Sequence, residues 1–343
     1  MKINKLLNLR KPLIVAEIGQ VHDGSLGNAH NYVDELIKIG VDAIKFQIHY
    51  ANEESSPDDL FRINFSYQDK TRYDYWKRIE FTENEWAEIF NKCKKNNIIF
   101  FSSVFSYKAL KILKKNNSEI YKIASGEINN DSLINEILKT KKHIMVSTGM
   151  SDFKEIDKIY NKLKKANANF SFLHCTSKYP TPIEDIGLNI ISELKEKYSI
   201  PIGFSDHSGN YLTSFAAISY GIKILELHVT FDKRLFGPDT SSSITIDELK
   251  KIIEYRDYYN KLDRQKINKN KLAKNLSKTK ALFSRSATAK INLNKNTILK
   301  KEMIKYTKPG FGISEKEIKK YIGKKIFKNV KENYQFKKKD FIK

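Results

Sequence analysis

Eight short apolar runs alternate with amphipathic segments along this chain, and that alternation constrains the fold more than any other feature. The runs cover residues 13–19, 43–47, 98–103, 120–125, 143–148, 170–175, 200–205 and 222–228. Continuous apolar runs of this length read as strands buried on both faces, as in parallel sheets. Helical periodicity fills the gaps, for example at 28–39, 83–95, 108–115, 131–138 and 152–165. Eight βα units running in one direction predict an α/β fold, a closed (β/α)8 TIM barrel. A doubly wound open sheet is the alternative on pattern alone.

The 343 residues exceed the roughly 250 that such a barrel needs. Residues 248–262 read as the last barrel helix, which places the barrel at 1–262. A polar stretch rich in Lys and Asn follows, read as a linker over 263–282. The pattern then changes to short segments bounded by turn residues, among them the rigid Pro309-Gly-Phe-Gly loop. Residues 283–343 are therefore a separate small module, marginal on its own at roughly 60 residues.

A hydrophobic content of 40% with 12% aromatics suits a globular chain with a large core. The formal charge of +22 raises the question of nucleic acid. The lysines are spread over helices and tail, however, and no aromatic-basic RNA motif or zinc finger accompanies them, so no nucleic-acid partner is expected. The charge still favours anionic ligands. No apolar stretch approaches the roughly 20 residues of a membrane span, and the basic N-terminus lacks a signal-type core. The two cysteines, Cys93 and Cys175, are far apart, which argues against a disulfide framework and for the cytoplasm.

Polar residues at the carboxyl ends of the runs carry the chemistry, because those ends form the active face of a barrel. His207 and His228 each close an apolar run. Neutral imidazoles there suit a divalent metal, and the competing reading is two satisfied core histidines. Glu17 closes the first run; it is either paired with a lysine or used. Lys45 and Lys122 lie inside buried-type strands, where an ammonium needs an anion or a partner such as Glu17 or Glu127. With Ser103, Ser125 and Ser147 they make a candidate phosphate pocket. A stiff loop, Thr176-Ser-Lys-Tyr179-Pro-Thr-Pro182, presents Tyr179. Asp239 in Gly237-Pro-Asp239 is either a sugar ligand and acid/base or a turn residue.

Taken in order, these motifs resemble the sialic acid synthase family of phosphoenolpyruvate-dependent nonulosonate synthases. The resemblance rests on Ala16-Glu-Ile-Gly, Lys45-Phe-Gln47, Lys122-Ile-Ala-Ser-Gly-Glu127, Ser147-Thr-Gly-Met150, His174-Cys-Thr-Ser-Lys-Tyr-Pro-Thr-Pro182, Phe204-Ser-Asp-His207, Glu226-Leu-His228 and Phe236-Gly-Pro-Asp239. It covers nearly the whole chain, and residues 283–343 are similar to the family's antifreeze-like (SAF) domain. The resemblance implies condensation of phosphoenolpyruvate with an N-acetylmannosamine-type sugar and water. The products would be a nine-carbon 2-keto sugar acid and phosphate. Legionaminate and pseudaminate synthases are the alternatives inside the family, and a non-catalytic polyanion-binding barrel is the alternative outside it.

The resemblance also implies roles. His207 and His228 would hold a divalent metal, manganese or magnesium. Lys45, Lys122, Ser103, Ser125, Ser147 and Ser177 would bind phosphoenolpyruvate. Glu17, Tyr179 and Asp239 would hold the acceptor sugar, Gln47 is a further substrate-binding residue, and Glu127 is a further acid/base candidate. The SAF domain would cap the barrel of a partner subunit in a domain-swapped homodimer. Some positions depart from the family pattern. Val21-His22 stands where Asn-His is usual, Ser102-Ser-Val-Phe-Ser106 where a Thr-Pro pair is common, and Lys308 where the capping loop usually presents an arginine. Lys308 is then the residue that would reach the acceptor, as a point charge instead of a fork.

Overall fold

The computed structural model describes residues 3, 7–9 and 11–341, so much of the basic N-terminal stretch lies outside the described residues. Eight strands form one closed parallel barrel: β1 (Leu13–Gly19), β2 (Ala43–Ile48), β3 (Ile99–Val104), β4 (Ile120–Ile123), β5 (His143–Ser147), β6 (Phe170–His174), β7 (Ile202–Asp206) and β8 (Ile224–Thr230). Each strand pairs with the next, and β8 pairs back with β1 through Glu17 opposite His228. The (β/α)8 barrel expected from the alternation is the observed fold, and no open sheet edge remains between β1 and β8.

Strand alternation divides every run into an inner and an outer set. Outward residues such as Ile14, Ala16, Ile44 and Phe46 join the helices in one large core. Inward residues near the amino ends form a second apolar cluster that includes Leu13, Val15, Ala43, Ile99, Phe101, Met145, Leu173 and Ile224. Two residues further along each strand the inner set turns polar: Glu17, Lys45, Ser103, Lys122, Ser147, Ser205 and Glu226, all buried. The interior is therefore a packed plug below and a charged floor above, which sets the depth of any site. Gly203 shows how tight the plug is. A Cβ there would fall 2.7 Å from the Ile224 carbonyl oxygen.

Local sequence sets the helix boundaries. The helix α1 (Leu26–Ile39) starts at Ser25, whose hydroxyl accepts from the Asn28 amide at 3.2 Å, and stops at Gly40 with φ of 81°. Capping boxes open the helices Glu83–Lys95 (Thr82 with Glu85) and Phe153–Lys165 (Asp152 with Glu155). Asn97, Asn117 and Asn167 take the left-handed conformation after their helices, which the short amide side chain tolerates. The barrel is fastened where it closes. Arg256, buried on the helix Ile246–Arg264, pairs with Asp42, and the same Asp42 oxygen accepts from the Ile14 amide at 2.9 Å. That last helix is two residues longer at each end than the 248–262 read from sequence.

The connection after β2 is the long one. It carries a one-turn helix, Ala51–Glu54, and a second helix, Arg72–Ile79, before the barrel helix Glu83–Lys95. The chain divides into two compact units, Met1–Arg264 and Gln265–Lys343. The second unit begins with the helices Lys269–Asn275 and Ser277–Phe283, where the sequence reads as a linker. Its core gathers Ala287, Ala289, Leu299, Ile313, Ile326 and Phe336 around an antiparallel pair, Ser286–Ala289 with Ile304–Thr307. Among the described residues no helix is long and apolar enough to cross a membrane.

Two buried histidines make the fold acid-sensitive. Burial, with a smaller push from His49, lowers His22 to about 3, and burial lowers His143 to about 4. His22 lies against the Phe81 ring at 4.6 Å, and His143 bonds Ser171 at 3.0 Å in the lower barrel. Both are neutral when folded but protonate near 6.5 when unfolded, so stability is full above 6.5 and falls as pH drops toward 4. Going from pH 7 to pH 5 should cost about 2 kcal/mol for each histidine. Urea unfolding at the two pH values checks this. A flat pH response between 7 and 5 is the contrary result.

Candidate active site

The polar inner residues floor a cleft of about 750 Å³ at the carboxyl ends of the strands. All the site residues expected from the sequence line it except two. Glu17 lies beneath Lys45 and is fully buried. Lys308 belongs to the second unit, where its ammonium sits 5.3 Å from the Phe283 ring centre.

Four buried charges form the floor. Lys45 on β2 bonds Glu17 on β1 and lies 3.5 Å from Glu226 on β8. Lys122 on β4 bonds the other Glu226 oxygen at 2.7 Å. Burial pulls the Lys45 ammonium down, but two carboxylates outweigh it and hold its pKa above the ordinary value. Burial lowers Lys122, Glu226 opposes that only in part, and Lys45 adds to it. The Glu226 carboxyl would be raised by burial, yet Lys122 and Lys45 hold it below its usual range. All four groups are less than 6% exposed, so no water screens these pairings. The lysines are thus paired in the free protein. The partner of Lys122 is Glu226, and Glu127 instead accepts from the Asn130 amide at 2.8 Å. One oxygen of Glu17, Oε1, has no hydrogen-bond partner among the described residues. It faces the Cα of Gly19, whose φ of 56° and missing side chain leave room there.

Hydroxyls surround the lysines. Ser103 lies opposite Lys122 in the β3–β4 register, and Ser147 ends β5. Ser125 sits past the end of β4, in a short turn, not in the strand as the apolar run suggested. Its Oγ accepts from the Gly149 amide at 3.1 Å. A Cβ on Gly149 would fall 2.5 Å from Cys175 Sγ and 2.6 Å from Ser177 Oγ, so glycine is what lets these two loops close together.

The other side of the cleft is built on two imidazoles and a phenol. The His207 and His228 ring centres lie 5.6 Å apart, and the Tyr179 ring stacks on His207 at 4.3 Å. His207 Nδ1 lies 2.9 Å from the Thr176 carbonyl oxygen, so that nitrogen carries the proton and Nε2 keeps its lone pair. Burial, with the neighbouring His228, pushes His207 down to about 3. It is a neutral imidazole across the physiological range. Burial, with Asp239 nearby, likewise raises the Tyr179 phenol, which stays protonated. Asp239 is 3.8 Å from His228 Nδ1 and 3.8 Å from Arg62 Nη2, beyond direct bonding to either. Among the described residues no group of three His, Cys, Asp or Glu side chains forms a cage that could hold a metal.

Several cleft residues escape the sequence reading. Glu226 is in phase with His228, two residues before it on one inner face, and that spacing was the available signal. Arg62 lies 4.4 Å above the Tyr179 ring, and Gln20, His49 and Trp76 form a side wall. Arg62, Gln20 and His49 come from irregular segments and Trp76 from the short helix Arg72–Ile79, where no strand periodicity marks an inward side chain.

The NeuB family model matches residues 32–267. The pseudaminic acid synthase of Campylobacter jejuni is 33% identical over 99% of this chain and 100% of its own length. The N,N'-diacetyllegionaminic acid synthase of the same species is 30% identical over 95% of this chain and 98% of its own. Among solved structures, the N-acetylneuraminic acid synthetase of Leptospira borgpetersenii in complex with citrate aligns with a TM-score of 0.69 and 30% identity. That alignment covers 79% of this chain and 92% of the other. With a floor of paired lysines, two imidazoles at adjacent strand ends and relatives matched over nearly their whole length, the chain belongs to the NeuB family.

Proposed function

We propose that the cleft condenses phosphoenolpyruvate with an N-acylated mannosamine-type sugar and water, giving a nine-carbon 2-keto sugar acid and phosphate. The observation that carries this is the pairing of two buried lysines with two carboxylates on the barrel floor. A cluster neutral in itself has ammonium groups ready for an incoming anion. Phosphoenolpyruvate takes Lys45 and Lys122 with its phosphate and carboxylate, and Ser103, Ser125, Ser147 and Ser177 complete the contacts. The acceptor lies against Tyr179 and Asp239 on the other side, with Gln47 of β2 and Glu127 of the turn after β4 reaching toward it. C3 of phosphoenolpyruvate then faces the aldehyde carbon, and positive charge developing at C2 is stabilised by Glu17 and Glu226. Water adds at C2 and phosphate leaves. Holding both substrates in this geometry supplies much of the rate.

His207 and His228 fit a divalent metal, manganese or magnesium. Both are cleft imidazoles, His207 is neutral with its Nε2 lone pair turned toward the Tyr179 and Ser205 hydroxyls at 3.3 Å, and two protein ligands leave coordination positions open. Such a metal supplies Lewis-acid polarisation of the acceptor aldehyde. The relatives favour a second acceptor class, since those named for pseudaminic and diacetyllegionaminic acids match almost end to end. We assign the reaction to the cytoplasm, in keeping with two buried free cysteines. The second unit, read as an SAF domain after a linker, would cap the barrel of a partner subunit and bring Lys308 to the acceptor.

Phosphate release from phosphoenolpyruvate across N-acetylmannosamine and diacetamido-trideoxy hexoses tests the activity and the acceptor together. Exhaustive chelation should abolish release and manganese should restore it; full activity after chelation removes the metal role.

Lys45→Ala and Lys122→Ala should each weaken phosphoenolpyruvate binding roughly ten- to a hundredfold and acceptor binding far less, since each removes a charge-assisted contact. Calorimetric titration of each ligand into each variant decides it. Equal losses for both ligands would contradict the assignment.

Mixing Lys308→Ala subunits with His207→Ala subunits tests the swapped lid. In the mixed dimer one site carries both defects and the other carries neither, so activity should return when subunits exchange. Demonstrated exchange without activity rules the swap out.

A further inference from the structure

The side wall of the cleft fixes one amide of its floor. Trp76 Nε1 can only donate, and it donates to Gln20 Oε1 at 3.0 Å. The Gln20 amide nitrogen must then point the other way, where it donates to Gln47 Oε1 at 2.9 Å and lies 3.3 Å from His49 Nε2. His49 is clamped between two rings, Trp76 at 4.2 Å and Phe105 at 4.6 Å, both nearly parallel to it. Its Nδ1 lies 2.6 Å from Glu54, and both side chains are 4% exposed. Its Nε2 lies 3.3 Å from the Gln20 amide nitrogen and 3.2 Å from Gln47 Oε1, so the ring packs against both ends of the Gln20–Gln47 bond.

The indole, which cannot accept, sets the sense of both the Trp76–Gln20 and the Gln20–Gln47 bonds. Gln47 Oε1 is consumed inside the wall, so its NH2 is the face left for the floor. It lies there beside Glu17 Oε1 and His228 Nδ1, all three within 4 Å of where a Cβ on Gly19 would be.

We propose that Trp76, Gln20 and His49 are positioning residues that lock Gln47 as a hydrogen-bond donor, so that the acceptor sugar must place an oxygen acceptor, carbonyl or hydroxyl, at that point. This rests on the condensation reading above. Without the indole N–H, the Gln20 amide can turn over. Its carbonyl then faces Gln47 Oε1, and Gln47 must flip and meet the acceptor with its own oxygen.

Trp76→Phe keeps an aromatic ring beside His49 and removes the indole N–H together with part of the ring system. The acceptor KM should rise about five- to tenfold, the loss of one oriented hydrogen bond. Phosphoenolpyruvate affinity and the thermal midpoint should stay unchanged. Gln20→Glu, which cannot donate to Gln47, should show the same acceptor defect. In a Gln47→Glu background the orientation no longer matters, so adding Trp76→Phe should cost nothing more. An unaltered acceptor KM in Trp76→Phe, an equal loss of phosphoenolpyruvate affinity, or full additivity with Gln47→Glu each overturns the positioning role. A wild-type enzyme that releases no phosphate with any acceptor overturns instead the condensation reading, and this role with it.

Discussion

The pairing of Glu17 and Glu226 with Lys45 and Lys122 is the constraint around which the barrel is built. Four ionised groups without solvent are tolerable only if each finds its counter-charge at bonding distance. That requirement ties β1, β2, β4 and β8 to one register, because the residues come from four different strands. Removing Glu226 strands Lys122, and removing Lys45 strands Glu17, each a buried charge without its partner. The apolar plug below serves the same cluster. Leu13, Val15, Phe101, Met145 and Leu173 fill the lower barrel and exclude water from beneath the charges. The pairing can therefore break only when an anion arrives from above.

This dependence explains why so much of the barrel was legible from sequence. Parallel strands covered on both faces must be apolar throughout, so each reads as a short continuous run. The eight runs and the eight observed strands agree to within two residues at every end. The polar residues that interrupt those runs are equally visible, since Lys45 and Lys122 cost too much to be incidental. What could not be read was which carboxylate answers which lysine. Glu127 is nearer to Lys122 in sequence, but the barrel curves β8 across to β4, and Glu226 takes that place at 2.7 Å. Partner choice is set by closure of the barrel, a long-range property that local spacing does not encode.

The connection between β2 and the helix Glu83–Lys95 was the least legible part. The helix Arg72–Ile79 begins at Thr71 with a full capping box, a short-range signal present in the sequence. Residues 55–71 carry no periodicity, however, because they are held by point contacts. Asp59 takes Arg72, Asp69 takes Arg78, and Phe65 packs on Tyr75 at 4.9 Å. Side chains placed this way, such as Arg62 above Tyr179, have no pattern to betray them.

The distribution of charge across the cleft gives its two sides different ligand preferences. The side made by β2 to β5 presents ammonium groups and serine hydroxyls, which favour a multiply charged anion. The side made by β6 to β8 presents His207, kept neutral by burial, with Tyr179 stacked on it and kept protonated by burial. An anion gains nothing from a neutral imidazole and a phenol set beside the Asp239 carboxylate. A polyhydroxylated sugar gains donors and acceptors there. An anion on the second side would face Asp239, and a neutral ligand on the first would leave both lysines unanswered, so the two sides disfavour each other's preferred ligand. Electrostatic rejection of the wrong arrangement is as strong a determinant of orientation as attraction to the right one.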